Sequence, residues 1–274
     1  MVLYATGFNA WNQLKFEVPG IDEPNDIQSF TCVLREDAVE DVHPFLSYTQ
    51  VHDGIETLQE YPSLRSLVAG DMPSRTFPKF RDLTQLVAFE TGFAALTSTG
   101  KVWTWGDERY AACLGREVSD ESPADAPGPV PDLDDLPTGP VTKLAAGGYV
   151  LAAITAGNDL YCWGHAGRSP LVLPPDRDGG GLSDAPSPVV VIDNDNGNDK
   201  DVIDVAVGAA HMLVLTAEGE VYVIGDNANG QLGLPAGVSA TETWTRVDLA
   251  PVLAEGENVM GVAAGPRNSF LIAQ

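Results

Sequence analysis

The sequence predicts an all-β chain, a β-propeller of about five blades (range five to seven) closed by a blade split between its two ends. Three observations predict it. Gly (28) and Pro (20) are both frequent among many short Val/Leu/Ile runs, the composition of a chain with many strands and turns. A two-strand phrase recurs along the chain. The two ends carry complementary halves of one more copy of that phrase.

The full copies are FETGFAALTSTGKVWTWGD (89–107), GGYVLAAITAGNDLYCWGH (147–165) and GAAHMLVLTAEGEVYVIGD (208–226). Each is an apolar strand ending in Thr, a short step through Gly, a second strand and a closing Gly. The anchors are Thr97, Thr155 and Thr216, the turn glycines Gly100, Gly157 and Gly219, and the closing glycines Gly106, Gly164 and Gly225. Thr to closing Gly is nine residues in all three. Thr-Gly, Gly-Asn and Glu-Gly at the joints are hairpin chemistry. Both strands are almost continuously apolar, as strands buried on both faces are.

The split copy is GPRNSFLIAQ (265–274) with LYATG (3–7), ending at Gly7. Pairing the two ends would hide edges that an open sheet exposes. An eroded copy, HPFLSYTQVHDGIETL (43–58), supplies Thr49 and Asp53-Gly54. Thr49, Thr97, Thr155, Thr216 and Ala273 then recur every 48 to 61 residues. We expect one domain over 1–274, with blades at about 83–115, 141–168 and 202–234, a degenerate blade at about 27–80, and a closing blade from 259–274 plus 2–14.

GAAHMLVLTAEGEVYVIGDNANGQLGL resembles the repeat of the regulator of chromosome condensation family. The resemblance rests on Gly208, His211, Leu215, Thr216, Gly219, Val221, Tyr222, Gly225, Asn227, Gly230, Gln231, Leu232 and Gly233. The family's Trp is Ile224 here but Trp105 and Trp163 in the other copies. The resemblance covers about two thirds of the chain. It implies a propeller with a split closing blade. Among the activities it brings are nucleotide exchange on a small GTPase, chromatin adaptors, a secreted enzyme inhibitor, and an adaptor for tRNA-modification and diphthamide synthesis.

The formal charge is −24. Residues 119–139 hold six acids and no base, and 17–60 carry eleven acids against Arg35 alone. Such a surface disfavours direct nucleic acid or anionic membrane binding; its acidic loops read first as keeping an edge-rich β protein soluble, and second as able to attract a partner protein with a basic surface. No run of 18 apolar residues and no signal-peptide pattern occurs, so a membrane span is not expected. Cys32, Cys113 and Cys162 form no disulfide or zinc pattern. A monomer in the cytoplasm and/or nucleus is expected.

No catalytic, cofactor or metal site is expected. His43, His52, His165 and His211 stand in no triad or metal pattern, and His211 sits in a repeat column where a structural hydrogen bond between strands is expected. DNDNGNDKD (193–201), with Asp204 beyond, only partly follows a calcium loop, because Gly197 stands one position early and no Glu closes it. DRDGGGL (176–182) reads as a linker. The expected function is a non-enzymatic adaptor or regulatory subunit acting through rim loops. Guanine-nucleotide exchange is the alternative, with chromatin or tRNA-modification/diphthamide adaptors beyond it. In the N-terminal copy Phe8 and Trp11 replace Asp226 and Asn229. With Asn12 they are the candidate partner contacts, unless Trp11 packs on the neighbouring blade.

Overall fold

The structure is a computed structural model that describes residues 2–7, 26–35, 49–52, 57–61, 72, 75–78, 82–165, 171, 173, 182–193 and 197–274. It is a β-propeller built from antiparallel sheets. The N-terminal strands are β1 (Val2–Gly7) and β2 (Ile27–Arg35); β3 (Thr49–His52), β4 (Thr57–Tyr61) and β5 (Arg75–Pro78) make a three-stranded sheet. A four-stranded blade follows from β6 (Leu83–Phe89), β7 (Gly92–Thr97), β8 (Val102–Gly106) and β9 (Gly128–Pro129). The next has β10 (Val141–Gly147), β11 (Val150–Thr155), β12 (Leu160–Gly164) and β13 (Ser187–Val189). After a small ladder of β14 (Val191–Ile192) and β15 (Asp199–Lys200) come β16 (Val202–Val207), β17 (His211–Thr216), β18 (Val221–Asp226) and β19 (Ala240–Arg246). Finally β20 (Val259–Gly265) and β21 (Asn268–Ala273) complete a blade in the order β2-β1-β21-β20.

The two ends of the chain therefore do meet in one sheet, with Val2 opposite Ala273 and Gly7 opposite Asn268. One boundary needs correcting. Residues 27–35, assigned from sequence to the degenerate blade, form β2 and pair with β1, Tyr4 standing opposite Cys32. They finish the closing blade instead. The sequence masked this because β2 has no internal copy to align with.

The repeated phrase supplies the middle two strands of each blade. β11 and β17 are buried along their whole length, which is why they read as unbroken apolar runs. The core is not central but lies between neighbouring blades. Leu96, Cys113, Leu144 and Trp163 fill one interface; Ile154, Leu173, Met212 and Trp244 the next; Tyr4, Phe30, Leu232 and Leu271 a third.

β6, β10, β16 and β20 lie side by side in that order as the inner strands. Each has a register shift just before its third residue, at Gln85, Lys143, Asp204 and Gly261. A bulge re-aims the side chain that follows it. Gln85 reaches the next blade and clasps the Leu144 backbone, donating to its carbonyl at 2.7 Å and accepting its N–H at 2.8 Å. Lys143 pairs with Asp204, and Asp204 accepts the Val262 N–H at 2.9 Å. A polar relay thus stitches each inner strand to the next. No helix among the described residues is long and apolar enough to cross a membrane.

Candidate interaction site

The repeat residues are scaffold parts, each held by a device that recurs. The anchors Thr97, Thr155 and Thr216 accept, at Oγ1, the amide N–H of Lys101, Asp159 and Glu220 at 3.1, 3.2 and 3.2 Å. This closes the hairpin turn from within. The third residue after each anchor has positive φ: Gly100 and Gly219 at 80°, but Asn158 at 68° in the middle copy. Gly157, read from sequence as the turn glycine there, is one position early. The left-handed position fell to Asn, the next residue type to tolerate it.

The closing glycines Gly7, Gly106, Gly164 and Gly225 serve a second device. A Cβ on each would lie 2.1–2.4 Å from a backbone oxygen of the turn that joins the two preceding strands of its blade. The next residue's amide then bonds that same oxygen in three blades, Asp107 to Thr91, His165 to Tyr149 and Asp226 to Ala210, at 2.8–3.0 Å. Side chains are excluded so that the backbones can touch.

Trp105 and Trp163 are core residues, both under 2% exposed. Trp105 stacks on Phe93 with centroids 5.7 Å apart, and Trp163 donates from Nε1 to the Cys113 carbonyl at 3.1 Å. His211 is fully buried; its Nε2 meets Ser269 Oγ of the closing blade at 2.9 Å. Burial pushes its pKa down to about 4, so it is a neutral imidazole. The exit loop DNANGQLG is spent the same way. Asn227 donates to the Val238 carbonyl at 2.6 Å and accepts the Leu232 N–H at 2.8 Å, while Gln231 donates to Asp226 at 2.7 Å. Its Gly230 carbonyl accepts from Thr6 Oγ1 at 2.6 Å, tying the loop to the closing blade.

Of the partial calcium pattern, Asp195 lies outside the described residues, and the other carboxylates do not gather. Lys200 lies 3.8 Å from Asp193 and 2.8 Å from Glu220. Asp204 faces the inner relay instead. No group of three or more metal-ligating side chains gathers among the described residues. Burial raises the Cys113 thiol to about 11 and Cys162 further, so neither is a thiolate nucleophile at neutral pH. Phe8, Trp11 and Asn12, with segments 8–25 and 174–181, lie outside the described residues.

What the sequence did not disclose is a cavity of about 1180 Å³ on the face that carries the turns between the inner and second strands. Its floor is made by those turns in four successive blades, at Thr91, Gly148, Gly208 and Pro266. Two of the turns are linked directly to the next, Glu90 N–H to the Gly148 carbonyl at 2.8 Å and Ala209 N–H to the Pro266 carbonyl at 3.1 Å. Its walls carry the aromatics Phe93, Trp105, Tyr110 and Tyr149, the tyrosines stacked at 5.4 Å.

The rim is acidic. Asp107 and Arg109 form a bonded pair, which holds the Asp107 carboxyl below its usual range. Beyond that pair stand Glu90, Glu108, Asp120 and Asp125. Arg116 shapes the loop bearing the last two. Its half-buried guanidinium donates to the Ser122, Pro123 and Ala126 carbonyls at 3.0–3.1 Å and to Ser122 Oγ at 2.8 Å. The acid run at 119–139 was visible in the sequence, but nothing there announced that Asp120 and Asp125 would face the turns of other blades.

Comparison with known proteins agrees with this architecture. Two profiles described as the regulator of chromosome condensation (RCC1) repeat match residues 202–231 and 218–272. The E3 ubiquitin-protein ligase HERC2 of Mus musculus is 31% identical over 176 residues, covering 64% of this chain and 3% of that protein. Human WBSCR16 superposes with a TM-score of 0.60 at 18% identity, over 99% of this chain and 67% of that one. Prp20p of Saccharomyces cerevisiae, described with its binding properties to Gsp1p and histones, gives 0.56 at 18% identity, over 83% and 56%. The chain thus spans a small part of the curated relative it matches, and the two superpositions speak for the fold alone.

Proposed function

From a chain that carries regulator of chromosome condensation repeats on a β-propeller, we propose a non-enzymatic adaptor or regulatory subunit that holds a partner protein against one face of the propeller. The supporting observation is the division of labour among residues. The polar side chains of the repeat are engaged in closing turns and joining blades, whereas the cavity presents Glu90, Glu108 and Asp120, which have no cationic partner among the described residues, beside half-buried tyrosines. Concave sites built by loops on a rigid frame are the usual seat of recognition. The test is affinity purification followed by reconstitution with the purified candidate. A stoichiometric complex is expected, and recovery of free protein alone overturns the reading.

Likeness of fold to Prp20p, described with its binding to Gsp1p, motivates a second reading, nucleotide exchange on a small GTPase. Release of a fluorescent guanine nucleotide from a panel of GTPases measures it. Acceleration of release would replace the adaptor reading. On the adaptor reading the rate equals the uncatalysed one.

A further inference from the structure

The cavity's chemistry names the kind of partner. We propose that it takes a cationic segment of the partner protein, a Lys/Arg-bearing stretch whose charged heads meet Glu90, Glu108 and Asp120 while its aliphatic stems lie on Tyr110 and Tyr149. This rests on the adaptor reading and specifies its binding face.

The charge balance of the wall supports the choice. Among the described residues five carboxylates line the cavity against a single guanidinium, and that one, Arg109, is already bonded to Asp107 at two oxygens. Glu90, Glu108 and Asp120 have no cationic partner among the described residues, whereas Asp134, Asp204 and Glu220 elsewhere are each paired to Lys or Arg. An anionic or neutral segment would find neither attraction nor release from that mutual repulsion.

The aromatic wall is independent of the charge. Arg109 already lies over the Tyr110 ring at 5.9 Å, so the wall accommodates a guanidinium on its own scale. A cavity of about 1180 Å³ exceeds a single side chain and suits several residues of extended chain. Its floor carries the turns' small residues Gly148, Gly208 and Ala209 together with Glu90 and Tyr149. At Gly208 the reason for the small residue is packing, since a Cβ would strike the His211 ring at 2.1 Å.

The probe is a fluorescein-labelled peptide alternating Arg or Lys with Gly and Ser, titrated with the full chain and followed by anisotropy near physiological salt. Saturable one-to-one binding is expected. The Glu90→Gln/Glu108→Gln/Asp120→Asn variant should weaken it about tenfold or more, each tenfold corresponding to about 1.4 kcal/mol. Neutralising three exposed carboxylates outside the cavity, Glu218→Gln/Glu242→Gln/Glu255→Gln, should change it less than about twofold, since exposed charges more than about 10 Å away are screened. Tyr110→Leu should weaken it in a way that added salt does not erase. Absence of saturable binding, equal losses in both triple variants, or an unchanged Tyr110→Leu affinity would overturn the proposal. A partner protein that binds wild type and cavity variant alike also overturns it while leaving the adaptor reading intact.

Discussion

His211 is a neutral imidazole locked between two blades, and its burial couples stability to pH. Its pKa is about 4 folded against 6.5 for the free side chain. Between those values the unfolded chain binds the additional proton, so stability falls as pH drops from about 6.5 toward 4 and is complete above 6.5. At pH 5 the loss from this one residue is about 2 kcal/mol. Urea unfolding at pH 7 and pH 5 measures it, and His211→Gln should remove most of that difference while lowering stability at pH 7. Gly225 makes a sharper point at the same scale. Its φ is 110°, and a Cβ would lie 2.3 Å from the Ala210 carbonyl oxygen. Gly225→Ala should therefore cost on the order of 3 kcal/mol, read as a lowered Tm.

At the scale of elements, the inner-strand relay joins blades that are otherwise held by apolar contact. Asp204→Ala would leave Lys143 unpaired and the Val262 N–H without its acceptor. About 3 kcal/mol of destabilisation is expected. Gln85→Ala removes two neutral hydrogen bonds and should cost less, about 1–2 kcal/mol, both by denaturant midpoint. The relay also marks what the sequence could convey. The hairpins were legible because their pattern repeats and burial on both faces leaves unbroken apolar runs. Gln85, Lys143, Asp204 and Gly261 share a column but no chemistry, so no alignment of residue types reveals that they do one job. The outer strands were hidden for a different reason. Gly128–Pro129 and Ser187–Val189 are short, and Ala240–Arg246 is mostly polar with only Trp244 buried, so no apolar run announces them.

For the whole molecule, the joining of the ends was readable because GPRNSFLIAQ lacks the half that LYATG provides. The cavity was not, since Glu90, Tyr149, Gly208 and Pro266 come from four blades and converge only through the arc of the propeller. The joint can be tested directly. Deleting residues 1–7 removes β1 from between β2 and β21, opening an edge along Asn268–Ala273. Loss of cooperative unfolding and concentration-dependent aggregation by light scattering are the expected results.

That joint also sets an order of events during synthesis. β1 and β2 are neighbours in the chain and can pair early, but the other edge of β1 waits for β21, the described strand most distant from it in sequence. Until β21 is in place, β1 carries an open strand edge. Completing the last blade is therefore a long loop closure, the slow kind of contact. A chain cut short before Asn268 would keep its middle blades yet leave β1 without the strand that seals it.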